Sequence, residues 1–206
     1  PAGYLVSLSA RYHKIETHRI PQAPMADADA KVQLLARVQC GFGTRPGLLN
    51  SPVAAAISAS GVILVLESGN NRIQALDLGG NPVRHFNKLS GPGTSPYSLT
   101  LGGTDSTQGW KYLDLAVEYT GWLYVLSYNQ GMSQYRLDLY HPDQSDNQPI
   151  ATTLGVNAAR LTVDLWRNVY TLNYEALSLP GGGPPPSGLT EPSVSQWTPC
   201  TQGQTC

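Results

Sequence analysis

The stretch GVILVLESGNNRIQALDLGGNPVRHF, Gly61 to Phe86, sets two alternating apolar runs around Ser-Gly-Asn-Asn and closes the second at Gly-Gly-Asn-Pro. Alternation with a period of two marks β-strands, and the Gly, Asn and Pro clusters are turn formers, so the stretch predicts strand, turn, strand, turn. The same phrase returns along the chain. GYLVSLSA from Gly3, GVILVLES from Gly61, GWLYVLSY from Gly121 and RNVYTLNY from Arg167 align position for position. A further strand precedes three of these copies, as VAAAIS, LDLAVE and RLTVDL, and puts Ser58, Glu118 and Asp164 three positions before the turn residue. Another follows, as NRIQALDL or QYRLDLYHP, and then a shorter outer one, NPVRHF or QPIATTL. Short strands recurring in fours between turns predict an all-β protein built from β-propeller blades.

A four-stranded blade of this kind is apolar on both faces, so neighbouring blades must cover it. The second strand of each unit is the most apolar, with Ile63 to Leu66 in one copy and Trp122 to Leu126 in another, as expected of a strand buried on both sides. Ala54, Ala55 and Ala56 in the preceding strand predict close approach at a central hub. Composition agrees. Charged residues are 13% of the 206, against roughly 25% in an average soluble protein, while Gly and Pro are plentiful.

At Ser51 to Phe86 the pattern resembles an NHL repeat, a β-propeller family. Pro52, Gly61, Ser68, Gly69, Asn70, Asn71, Arg72 and Ile73 match that family's motif, and Ser58 and Glu67 stand where the family usually has Asp. The segment VDLWRNVYTLNY keeps Asp164 and Asn168 but has Arg167 for the Gly. The copy at Gly121 keeps Glu118 and Gly121 and loses Asn-Arg-Ile, and the copy at Gly3 keeps only the strand pattern. The resemblance implies one NHL-like domain over residues 1–206, with units near 1–45, 46–92, 93–156 and 157–206 and a Pro/Gly-rich loop at 178–188. The family usually has about six blades. About four units, the first without an inner strand and the last without an outer one, therefore imply part of a larger propeller or assembly. Its expected partner is another protein chain, or further copies of this one, completing the ring.

No apolar run reaches the roughly 18 residues of a membrane-spanning helix, so no membrane span is expected. The chain opens at Pro1 rather than at a methionine, as a processed or truncated chain would. Cys200 and Cys206 can close a small loop in an oxidising compartment, with Cys40 left as a buried thiol. That closure, with the low charge, points to a bacterial or extracytoplasmic setting.

Catalytic signatures are missing from the sequence. GMSQY around Ser133 lacks the second Gly of a nucleophile elbow, and GFGTRPG, Gly41 to Gly47, has the wrong spacing for a dinucleotide loop and no helix pattern after it. His13, His18, His85 and His141 fall on expected outer strands or loops, and Asp143 and Asp146 lack the spacing of a calcium loop. No catalytic, cofactor or metal residues are therefore assigned, and no cofactor is expected. Nine arginines and four lysines are scattered among fourteen carboxylates for a net charge of −1, which disfavours nucleic acid. Tyr12, Tyr119, Tyr128, Tyr135 and Tyr174 can fill blade interfaces or a protein-binding rim. The expected function is a non-enzymatic protein–protein interaction or structural module. What the resemblance leaves open is a propeller lyase or hydrolase with a channel metal, or an RNA-binding propeller.

Overall fold

A computed structural model describes residues 3–20, 33–39, 41–90, 94–101, 109–156, 158–173 and 193–197. The regular elements are strands: β1 (Gly3–Ser9), β2 (Lys14–Ile20), β3 (Gln33–Gln39), β4 (Pro52–Ile57), β5 (Ile63–Glu67), β6 (Arg72–Leu76) and β7 (Ser98–Thr100). They continue as β8 (Trp110–Val117), β9 (Leu123–Asn129), β10 (Gln134–Tyr140), β11 (Ala151–Leu154), β12 (Arg160–Val163), β13 (Val169–Asn173) and β14 (Ser193–Trp197). Each strand pairs antiparallel with its neighbour in sequence. The result is four meandering sheets: β1 to β3, β4 to β7, β8 to β11 and β12 to β14. No helix among the described residues is long and apolar enough to cross a membrane.

The stacking follows from the two-faced second strands. All five residues of β5 are buried, and alternate side chains leave opposite faces of the sheet. Leu64 and Leu66 pack with Leu123, Val125 and Tyr140 of the third sheet. Ile63 and Val65 instead pack with Ile15, Val6 and Leu8 of the first. In β9 the same division holds, with Leu123 and Val125 facing the second sheet and Tyr124 and Leu126 facing Leu161 and Val169 of the fourth. Three apolar clusters thus join the four sheets in chain order. Along one side of the stack β1 lies against β4, β4 against β8, and β8 against β12. The small residues of β4 stand at this row, as expected of a strand approached closely by its neighbours.

Repetition extends to backbone detail. The pairing of β4 with β5 slips by one residue between Pro52 and Ala54, and that of β8 with β9 slips at the equivalent place, between Tyr112 and Asp114. One expected strand moved. NPVRHF does not supply the fourth strand of the second sheet; β7 does, so that unit runs beyond residue 92 to Thr100. Pro82 has no N–H to give a ladder and makes only an isolated bridge with Leu76, after which the chain leaves the sheet.

Leu64 and Leu123 are fully buried at the junction of the second and third sheets. Leu64→Ala and Leu123→Ala should each cost about 2–5 kcal/mol in urea unfolding, whereas Thr153→Ala, on the exposed β11, should change stability by less than about 0.5 kcal/mol. Losses below about 1 kcal/mol at both leucines would contradict the stacked arrangement.

Candidate functional site

The turns that join first to second strands are copies of one another. Ser58, Glu118 and Asp164 each donate their backbone N–H to a carbonyl four residues on, at Val62, Trp122 and Asn168. Each also accepts at its own carbonyl from the third residue on, at Gly61, Gly121 and Arg167. Their side-chain oxygens close the turn by accepting from the N–H of the same Val62, Trp122 and Asn168. The backbone at the third residue is left-handed, with φ of 80° at Gly61, 105° at Gly121 and 68° at Arg167. Glycine takes that conformation without a steric penalty; arginine does not. Arg167 offsets the strain through contacts to the third sheet: Nη2 donates to Thr120 Oγ1 at 3.1 Å, Nε lies 3.8 Å from Glu118 Oε1, and the guanidinium sits 5.7 Å from the Trp122 ring centre. Thr120 also donates its hydroxyl to Glu118.

Because these turns are equivalent, their tips gather at one end of the stack. Ile57, Val117 and Val163 end the three first strands and line an open groove of about 350 Å³ together with Ala59, Tyr119 and Trp166. At its rim the side chains are apolar and well exposed: Tyr119 at 67%, Leu165 at 69% and Trp166 at 77%. The charges beneath are already engaged. Glu118 is buried against Thr120 and Arg167, and Asp164 accepts from the backbone of Trp166 and Asn168, the Asn168 amide and the Tyr170 hydroxyl. Desolvation pulls the Asp164 carboxyl upward, but the bonds from Asn168, Tyr170 and Trp166 outweigh it and hold the group below the usual carboxylate range. Burial, and then the charge of Glu118, push the Tyr124 hydroxyl up. Such a surface can bury apolar area against a partner, which is what exposed aromatic patches do at protein interfaces.

The residues of the Ser68 to Gln74 motif are committed elsewhere. Glu67 is fully buried and takes Arg72 Nε at 2.7 Å and Gln74 Nε2 at 3.1 Å on one oxygen, and Asn70 Nδ2 at 2.7 Å and the Asn50 N–H at 2.8 Å on the other. Arg72 also donates to the carbonyls of Thr44 and Leu48, and Gln74 accepts from the N–H of Gly47. Asn70 reaches the carbonyl of Gly43, and Ser68 that of Ser51. Gly69 lies so close to the Asn50 side chain that a Cβ would come within 2.3 Å of it. Asn71, left-handed at φ 50°, donates to the carbonyl of Leu101 and accepts from the Tyr112 hydroxyl of the next sheet. Desolvation raises the Glu67 carboxyl's pKa, against the lowering pull of Arg72. The motif is a cradle that clasps the GFGTRPG loop and ties the second sheet to the third.

Other residues singled out in the sequence are scattered. Ser133 is a left-handed turn residue at φ 50°, and His13 stands edge-on to Phe42 at 5.4 Å. His18 lies on β2. His85 is lowered first by burial, then raised by Asp143 and lowered by His141, so two of the histidines do approach each other. His141 packs edge-on to Trp122 at 4.9 Å, and Asp143 pairs with Lys88 at 3.1 Å. Tyr128 and Tyr135 stack at 4.6 Å across β9 and β10, and Tyr12 is exposed. Asp146 caps its own turn, accepting from the Gln148 N–H. Among the described residues no three His, Cys, Asp or Glu side chains are grouped to hold a metal. Cys40, Cys200, Cys206, Tyr174 and the 178–188 loop lie outside the described residues. The sequence reading passed over Leu165 and Trp166, although the repeat alignment marks them as the counterparts of Tyr119 and Thr120. No protein-family model and no curated protein matches the chain.

Removing Arg72 strands the Glu67 carboxylate in the interior. Arg72→Ala should cost about 3–5 kcal/mol in urea unfolding, and a loss below about 1 kcal/mol would show that the 43–50 loop is held by other means. A second expectation concerns pH. A carboxyl whose folded pKa is depressed below 3.8 contributes stability above its unfolded pKa and loses it as pH falls through the folded one. Asp164→Ala should therefore lower the melting temperature more at about pH 7 than at about pH 3. An equal shift at both would mean that Asp164 is not held ionised by the turn.

Proposed function

We infer that this chain is a segment of an NHL-like β-propeller whose turn end binds another protein, a module of interaction rather than of catalysis. The observation that carries the reading is the convergence of three equivalent turns on one groove, with Tyr119, Leu165 and Trp166 exposed around it. Support for the propeller comes from the four meandering sheets, stacked in chain order with their first strands side by side. The charged groups nearest the groove serve the turns. Arg167 and Glu118 face one another and Asp164 is bonded within its own turn, so the surface offers apolar contact with a polar margin, the composition of a protein interface.

The test compares the wild-type chain with a Tyr119→Ser, Leu165→Ser, Trp166→Ala variant and with Leu154→Ser, an exposed outer-strand control. All three should unfold alike, because the altered side chains are exposed. Each is immobilised and exposed to an extract of the source cells, and bound proteins are quantified by mass spectrometry. The expected result is a protein retained by the wild type and the control and depleted about tenfold or more by the turn variant, the loss expected of an aromatic hot spot. Equal retention on all three would refute the turn end as the binding surface.

A further inference from the structure

Strand β1 is a second strand without its first. The four-residue turns after β1, β5 and β9 share one backbone shape, with the last residue left-handed: His13 at φ 48°, Asn71 at 50° and Ser133 at 50°. Turns after first strands are built differently, on Ser58, Glu118 and Asp164. Direction agrees with shape. Tyr4, at the start of β1, lines a cavity of about 720 Å³ with Ile57 and the 58–61 turn, so β1 begins where β4 ends and runs opposite to it, as β5 does.

In the other three sheets the second strand is paired on both edges: β5 by β4 and β6, β9 by β8 and β10, β13 by β12 and β14. β1 pairs only with β2, and no backbone group among the described residues bonds its other edge. That edge continues an interface already formed. The first strands β4, β8 and β12 stand side by side, and the next place in their row is the one beside β4 and β1. Moreover, β1 has none of the devices that protect a permanent edge. Its sequence, GYLVSLS, is seven residues without Lys, Pro or any charge, and Leu5 is 50% exposed.

We propose that the free edge of β1 is a strand-docking site that takes an antiparallel β-strand from a second polypeptide. The established first strands define its chemistry. They end in Ala55-Ala56-Ile57, Leu115-Ala116-Val117 and Leu161-Thr162-Val163, uncharged and small or apolar, followed by Ser58, Glu118 or Asp164. The incoming strand has the same character, because a charge at those positions would lie unpaired against the alanines of β4. Backbone hydrogen bonds supply its affinity, and the alternate side chains supply selectivity.

The probe is a synthetic peptide of residues 51–61, the chain's own first strand and turn, with a copy N-methylated at alternate residues as the control that cannot complete a ladder. Binding is followed by fluorescence anisotropy, and amide exchange of residues 3–9 by mass spectrometry. The expected result is saturable binding that slows exchange in β1 about tenfold or more, with no slowing by the methylated peptide. No binding at millimolar peptide, or binding that leaves β1 exchange unchanged, would overturn the proposal. Slow exchange in β1 that rises with protein concentration before any peptide is added would overturn it as well, by showing that a second copy fills the edge. Trp166→Ala should leave the peptide result unaltered, which separates this site from the turn surface.

Discussion

The fold depends on strands that are apolar on both faces. β5 and β9 send Leu64, Leu66, Leu123 and Val125 one way and Ile63, Val65, Tyr124 and Leu126 the other, so neither strand can be buried by its own sheet. A sheet must stand on each side. Once that condition is imposed twice, the order of the four sheets follows the order of the chain, because short turns leave each sheet nearest its neighbour in sequence. The first strands fall into one row and their turns to one end of it.

Within that frame the polar residues divide their work. The Ser-Gly-Asn-Asn-Arg-Ile-Gln phrase reads as a family signature, and its physical task is local: a buried carboxylate, one guanidinium and three amides satisfy the backbone of a loop that makes few ladder bonds of its own. A buried charge is tolerable here because every partner is supplied together. The first turns show a looser rule. Ser, Glu and Asp all cap them, since each presents an oxygen to the same N–H, and an arginine replaces glycine at the left-handed position where its side chain finds Thr120, Glu118 and Trp122 across the sheet boundary.

Turn tips carry no such duty. Between the cap and the left-handed residue lie Ala59 and Ser60, Tyr119 and Thr120, Leu165 and Trp166, a different pair in each copy. The backbone bonds close the turn whatever these side chains are, which frees them to vary. Variation of this kind, held on a rigid repeated frame, is how repeat folds acquire binding surfaces.

Strand positions, turn positions and the equivalence of the units were legible in the sequence, because alternation and turn chemistry are local properties that each segment carries alone. The caps Ser58, Glu118 and Asp164 emerged from aligning the chain with itself, and the turns they close share one pattern of bonds. What the sequence could not reveal were the contacts between segments far apart along it. Nothing in NPVRHF says that Ser98–Thr100 will take its place as the fourth strand, and nothing in the GNNR phrase says that its side chains will close on the carbonyls of Gly43, Thr44 and Leu48. Tyr119 and Trp166 share a groove only because their sheets are adjacent. Periodicity tells a side chain which face it leaves by; the packing of one sheet on the next decides what it meets there.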